Sequence, residues 1–245
     1  MRLAALLTLT AMLLAGCGGS SSGSRPDFDG LRLRTTAAGP VQFRILISIN
    51  AAGTKITAEE NGTASFTSRR AHLYKQLPNG QFPQELVIIG PLTYTNANVQ
   101  AALADPSVPP WTKLDTRRLT VKQRHDQPDE FAHVLAAAYL SEGVATAQPG
   151  GKEVDGTFRF TGRVDLARLA RRVPATILTA IRNDYPATSF PATFWLDDQG
   201  RLSRVLVDYA TPQGTKITVD TVYSEYGTKL DLTLPAPGKI KNITP

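Results

Sequence analysis

The chain has 245 residues, 42% of them hydrophobic, a formal net charge of +6 and a single cysteine. This length suits one large or two small domains, and one cysteine excludes an internal disulfide, so the fold depends on its core alone. The positive charge is modest and dispersed in pairs such as Arg69-Arg70, Arg117-Arg118 and Arg171-Arg172, which is typical of a solvated surface, with contact to anionic headgroups or cell-wall polymers as the alternative.

The N-terminus predicts export and lipidation. Residues 3–16 are uncharged and follow Arg2; such a run is typical of a signal-peptide core and falls short of the roughly 20 residues of a membrane span. Leu14-Ala15-Gly16-Cys17 resembles the bacterial lipobox. The resemblance implies cleavage before Cys17 and a diacylglyceryl thioether on its sulfur, whereas the alternative is a chance cysteine near an ordinary cleavage site.

The expected organisation follows from this start. Residues 1–16 are the signal peptide, 17–28 the lipidated N-terminus with a Gly/Ser tether, and 29–245 a single folded domain. Several acyl groups hold a protein stably on a bilayer, so we expect the protein on the extracytoplasmic face of the cell membrane. Export and tethering argue against nucleic acid as a partner.

Alternating residues predict strands in the first half. Val41, Phe43, Ile45, Ile47 and Ile49 share one face of residues 41–49, as in a strand with one wet face. The other elements expected here are a turn at 51–54, a strand over 55–60, a hairpin turn at Asn61-Gly62, a third segment over 63–77, a turn at 78–80, strands over 85–95 broken at Gly90-Pro91, a helix over 96–104 with Val99, Ala102 and Leu103 inward, and an extended piece over 111–115.

The period changes in the middle of the chain. Phe131, Val134, Leu135, Ala138 and Tyr139 follow helical spacing, which predicts an amphipathic helix over 128–140 with Pro128 in its first turn. The elements expected after it are extended segments over 141–148 and 153–164 joined by a turn at Pro149-Gly150-Gly151, a short helix capped by Asp165, and another after Pro174 that carries Ile177, Leu178 and Ile181.

The last third again predicts strands, over 190–197, 201–209 and 215–226, with turns at 198–200 and Gly214 and an extended tail from Leu234. No internal repeat occurs. The economical fold is therefore α+β, built on a large curved antiparallel sheet with a few helical inserts.

Motifs for catalysis or metal binding are not found. No GxSxG accompanies the three histidines, His72, His125 and His133, and no zinc spacing surrounds them. Asp129 and His133 are expected to form a surface i,i+4 pair, and Asp197-Asp198-Gln199-Gly200 a hairpin turn rather than a calcium loop. We expect no enzyme, metal or cofactor, although a histidine or carboxylate buried in a cleft would favour an enzyme.

Three segments resemble a known family. They are the Trp195–Arg201 stretch of W-L-D-x-x-G-R form, Val164-Asp165-Leu166-Ala167-Arg168-Leu169, and the proline-rich Leu234-Pro235-Ala236-Pro237. Together they resemble the LppX/LprAFG lipoproteins of actinobacteria, which are related in fold to LolA and LolB. The resemblance implies a half-barrel sheet with helices on its concave side and an apolar cavity for acyl chains between them.

The same resemblance implies a function, namely binding lipid or lipoglycan acyl chains and carrying them across the envelope, with an envelope transporter as the expected protein partner. Periodicity alone selects the residues that would line the cavity: Phe43, Ile45, Ile47, Ile49, Leu86, Ile88, Phe131, Leu135 and Tyr139, with Val41 beside them. Ordinary core packing is the alternative for each. The alternative function is a non-catalytic sensory or protein-binding lipoprotein with no ligand cavity.

Overall fold

The computed structural model describes residues 26–76, 83–120, 122–123, 129–211 and 213–245. Within them the chain forms one open sheet of twelve strands. The strands are β1 Pro40–Ala51, β2 Thr54–Ser65, β3 Arg70–Gln76, β4 Gln84–Ile89, β5 Leu92–Thr95, β6 Trp111–Asp115, β7 Gln148–Lys152, β8 Phe158–Asp165, β9 Ser189–Leu196, β10 Leu202–Ala210, β11 Lys216–Ser224 and β12 Ile240–Asn242.

The sheet is two meanders joined at the centre. Its order is β12-β6-β5-β4-β3-β2-β1-β11-β10-β9-β8-β7, so β1 pairs with β11 and brings the two halves of the chain together. Neighbouring strands are antiparallel except β12, which pairs with β6 in parallel. β12 therefore forms one edge of the sheet, and β7 forms the other.

Helices are inserted between the strands, and most of them cover the concave side. They are α1 Leu31–Ala37, α2 Val99–Ala104, α3 Glu130–Tyr139, α4 Leu166–Leu169 and α5 Ala175–Asp184, with short 3-10 turns at Thr116–Arg118, Leu140–Gly143 and Pro237–Lys239. The Asp129 side chain caps α3, and that of Asp165 caps α4 as predicted. The predicted fold class, a large curved antiparallel sheet with helices on its concave side, is confirmed.

Alternate residues of the central strands are buried, and they place the core on the concave side. Val41, Phe43 and Ile45 of β1 are buried, and the buried Tyr223 of β11 donates from its hydroxyl to the Val134 carbonyl of α3 at 2.6 Å. The opposite face carries cross-strand ion pairs such as Arg204–Asp220, at 2.8 Å. One face is therefore packed under helices and the other is wet, as the alternation of β1 predicts.

The expected hairpin turn at Asn61-Gly62 is wrong. Both residues lie inside β2, where Asn61 pairs with Arg44 on one side and Tyr74 on the other. Gly62 does not form a turn but lets β2 and β3 approach closely, because an added Cβ would stand 2.1 Å from the carbonyl oxygen of His72. The actual turn follows at 66–69, and β3 begins only at Arg70.

Three further expectations need correction. The helix over 96–104 exists as α2, but it buries none of its residues, and Leu103 is 76% exposed. The glycines Gly150 and Gly151 lie within β7 rather than in a turn, because the chain reverses later, at Glu153–Thr157. Residues 141–143, expected to be extended, instead form part of the 3-10 turn Leu140–Gly143.

The other predicted turns and helices are confirmed. The chain reverses at Ala52-Gly53, at Gly90-Pro91 and at 198–200, and Gly200 has a φ of 71°, which favours glycine. Helices α3 and α5 bury the expected Phe131, Val134, Ile177 and Ile181. The predicted turn at 78–80 and the place of Pro128 lie outside the described residues.

Candidate functional site

A small cavity lies between the sheet and the helices. Its volume is about 80 Å³. Ile45 and Ile47 of β1 and Val219 of β11 form the sheet side, while Ala136 and Ala137 of α3 form the helix side. Small alanines opposite branched side chains leave this gap, because neither layer has a side chain long enough to fill it.

The rim of the cavity is polar and charged. Glu60, His133 and Asp184 line it together with Thr221 and Tyr185. Glu60 belongs to β2, where it is paired with Ile45 and therefore points to the concave side. One of its carboxylate oxygens, Oε2, is buried and makes no hydrogen bond within the described structure. The cavity thus combines apolar walls with hydrogen-bond acceptors at its edge.

Lys75 of β3 joins the sheet to the start of α3. Its Nζ lies 3.0 Å from Oε1 of Glu60 and also contacts the carboxylate of Glu130. Burial lowers the pKa of Lys75, but the two carboxylates outweigh it, so the net pKa is raised and the lysine stays charged. The ammonium is shared by two carboxylates and is not directed at the cavity.

His133 joins α3 to α5. Its Nδ1 lies 3.0 Å from the carboxylate of Asp184. The predicted surface pair of His133 with Asp129 is therefore wrong. Asp129 instead caps α3 and accepts from the guanidinium of Arg69 at 2.7 Å. His133 is largely covered because its side chain points between two packed helices rather than along one.

The predicted cavity residues gather on the concave side. Phe43, Ile45, Leu86, Ile88 and Phe131 belong to one buried cluster, and Ile47, Leu135 and Tyr139 pack against it half-buried. Ile49 is half-buried near the turn between β1 and β2. Ile45 and Ile47 line the cavity. A ligand role for this set stays a prediction, and Cys17, the signal peptide, the 18–24 tether and His125 lie outside the described residues.

The sequence did not predict Glu60, Asp184 or Val219 as cavity residues. A signal for Glu60 existed, because Ile56, Ala58 and Glu60 alternate onto one face of β2. No comparable signal marks Asp184, which is the last residue of a helix of ordinary pattern. Across the described ranges no cluster of His, Cys, Asp or Glu could hold a metal ion, and no helix there is long and apolar enough to cross a membrane.

Solved structures of related fold include a lipoprotein. The chain is similar to LppX, a lipoprotein of Mycobacterium tuberculosis, at 15% identity and a TM-score of 0.48, covering 82% of this chain and 96% of LppX. It is also similar to a LolA superfamily protein of Nitrosomonas europaea, at 11% identity and a TM-score of 0.36, covering 84% of this chain and 94% of that one.

A third similarity is to the MucA/MucB complex of Pseudomonas aeruginosa, at 15% identity and a TM-score of 0.31, covering 80% of this chain and 56% of the matched one. No family model and no curated protein sequence matches this chain. The resemblance predicted from the sequence is confirmed to this extent: the chain is similar in fold to LppX and to a LolA superfamily protein. These similarities concern the fold alone.

Proposed function

We propose that the protein is a cell-envelope lipoprotein that binds acyl chains of a lipid or lipoglycan on its concave face and carries them across the envelope. The observation that carries this proposal is the cavity between β1, β11 and α3. Apolar walls at Ile45, Ile47 and Val219 suit methylene groups, each of which gains about 0.8 kcal/mol on leaving water. Acceptors at Glu60 and Asp184 suit a polar headgroup with hydrogen-bond donors.

Binding an acyl chain requires α3 to move. The cavity of about 80 Å³ is smaller than ligand pockets of about 300 Å³ or more. Besides its apolar packing, α3 is joined to β3 and α5 by two polar contacts, Lys75–Glu130 and His133–Asp184. Water can replace such contacts at modest cost. A displaced α3 would expose Phe43, Leu135 and Tyr139 to the acyl chain.

The proposed attachment is through Cys17. A lipid on that sulfur would hold the protein on the extracytoplasmic face of the cell membrane, from which it could take up a lipid or glycolipid and deliver it to an envelope transporter. The lipobox resemblance and the apolar run before it support this location.

The proposed role is non-catalytic, although a histidine–carboxylate pair does border the cavity. In a nucleophilic site the second imidazole nitrogen bonds a hydroxyl or thiol that it activates. In the described part of the chain, Nδ1 of His133 bonds Asp184 and no hydroxyl or thiol bonds its Nε2. This pair therefore acts as a contact between two helices.

The test is to look for co-purifying lipid. The protein is the proposed mature chain, residues 17–245 with Cys17→Ala, purified without detergent. We expect native mass spectrometry to detect an adduct of lipid mass that organic-solvent extraction removes, and the extracted protein to take up a fluorescent fatty acid. Ile47→Trp fills the cavity and should reduce uptake by about ten-fold or more, because the acyl chain loses the apolar contacts that it would make there.

The matched control is Ile56→Trp. Ile56 lies opposite Ile49 on the neighbouring strand, is 44% exposed and is separate from the cavity, so uptake should persist. Equal melting temperatures of the two variants would show that both fold. Ala137→Leu provides a smaller filling variant if Ile47→Trp does not fold. A bare protein that takes up no lipid would contradict the proposal.

That outcome would favour the second candidate, a sensory or protein-binding lipoprotein. One observation supports it: much of the concave face is filled, since Phe66 packs edge-on against both Phe131 and Tyr223, with ring centroids 6.4 and 5.7 Å apart. If the concave side is filled, a partner would bind on the outer surface of the protein instead. The uptake experiment separates the two candidates, because only the carrier needs α3 to open.

A further inference from the structure

Three arginines form a cationic surface on α4 and the turn that follows it. Arg168, Arg171 and Arg172 lie on consecutive helical turns, because the Arg171 N–H donates to the carbonyl of Arg168 and the Arg172 N–H to that of Leu169. Residues at these spacings are neighbours on a helix surface. Arg171 and Arg172 are exposed. Nε of Arg168 is buried and makes no hydrogen bond within the described residues.

The surface has too few carboxylates to neutralise it. Glu142 lies 2.8 Å from Nε of Arg32 and 3.7 Å from Nη1 of Arg172, so two guanidiniums share it. The side chain of Asp165 accepts from the backbone N–H groups that begin α4. The arginine surface, defined as Arg32, Arg168, Arg171 and Arg172, therefore keeps an excess of positive charge.

The arginine surface lies near the start of the described chain. Arg34 of α1, two positions after Arg32, donates to the carbonyls of Asp29 and Gly200, each at 2.8 Å, and to that of Asp27. These contacts fix residues 27–29 against α1. Pro26 follows Cys17 by nine positions, which span at most about 30 Å. A lipid on Cys17 would thus keep α1 and the adjoining arginines within reach of the bilayer.

We propose that the arginine surface docks on the anionic headgroups of a lipid bilayer. Planar guanidiniums bind phosphate oxygens in a bidentate manner, and an anionic leaflet attracts each nearby arginine. Leu33, the residue after Arg32, is 58% exposed, and a leucine beside arginines suits the boundary between headgroups and acyl chains. This reach to the bilayer rests on the proposed lipidation, whereas docking itself needs neither the lipid on Cys17 nor a bound cargo.

The experiment measures vesicle binding by the residue 17–245 chain with Cys17→Ala. Sedimentation compares vesicles of phosphatidylcholine with vesicles that also contain phosphatidylglycerol. We expect binding only to the anionic vesicles, weakening with added salt. Arg171→Gln with Arg172→Gln should weaken it by about ten-fold or more, because each arginine near an anionic surface contributes separately.

The matched control replaces another arginine pair, Arg117→Gln with Arg118→Gln, and so removes the same charge. These residues lie in the 3-10 turn after β6, and the variant should bind as the parent does. Equal loss in both double variants would overturn the proposal, since it would indicate attraction by net charge alone. Binding to a soluble cell-wall polyanion as strong as to vesicles would overturn it in favour of a polymer partner. Lipid uptake by the cavity changes none of these outcomes.

Discussion

At the residue scale, His133 makes the contact between α3 and α5 depend on pH. Burial lowers the pKa of His133, but the hydrogen bond and charge of Asp184 and the charge of Glu130 raise it more than burial and the nearby Lys75 lower it. Its pKa in the folded protein is therefore higher than in the unfolded chain, where it is about 6.5. The pair then contributes its full stabilisation below about pH 6.5, and this contribution disappears as the pH rises through the folded-state pKa of His133.

We therefore expect His133→Gln to destabilise the protein most at acidic pH. The difference in free energy of unfolding between parent and variant should be largest near pH 5, begin to decline above about 6.5 and continue to decline as the pH rises further. Urea titrations of the parent and the variant over a pH series measure this difference. A difference that stays constant with pH would contradict the prediction, and Asp184→Asn should reproduce the behaviour of His133→Gln.

At the element scale, Arg69 secures the start of α3. It has a φ of 49° in the turn before β3, donates from Nε to the Gly90 carbonyl at 3.0 Å, and lies with its guanidinium 5.1 Å from the ring centroid of Phe131. The same guanidinium donates to both carboxylate oxygens of Asp129, at 2.7 Å each. Two turns of the sheet and the N-terminus of α3 are thus joined at one side chain.

Asp129→Ala should lower the free energy of unfolding by about 1–2 kcal/mol, because α3 loses its N-cap and Arg69 loses its partner. Asp165→Ala is the matched control. Asp165 caps α4 by the same kind of bond and has no ion pair within the described ranges, so its loss should be smaller. Chemical denaturation of both variants makes the comparison, and equal losses would show that the Arg69 contact contributes nothing.

At the scale of the whole molecule, the chain is an open sheet whose two halves meet at β1 and β11. The C-terminal residues return to pair with β6, and the Thr244 hydroxyl accepts from the Asp115 N–H at 2.8 Å. We expect this closure of the sheet not to depend on the N-terminal lipid that we propose.

Replacing Cys17 by Ala in the full chain should accordingly leave the fold intact and move the protein from the membrane to the soluble fraction. The loss of stably inserted acyl groups is the physical reason. Fractionation measures the distribution, and intact mass reports whether residues 1–16 have been removed. A variant still tightly attached after that removal would contradict the lipobox interpretation.

Much of the fold could be predicted from the sequence, because its signals are local. The alternation in β1, the helical spacing from Phe131 to Tyr139 and the turn at Gly200 depend on neighbours a few positions apart. The same local rules misplaced the turn at Asn61-Gly62. There the pairing of β2 with strands on both sides outweighed the preference of that dipeptide.

By itself the sequence determined the strand-rich composition, the helix α3 with its apolar face and the lipobox-like start. Only the tertiary structure decided that His133 meets Asp184, 51 positions away, that Glu60 borders a cavity, and that Arg32 and Arg172 share Glu142. The reason is that periodicity tells which face of an element is apolar. It does not tell which distant element covers that face, or whether the side chains between them fill the space.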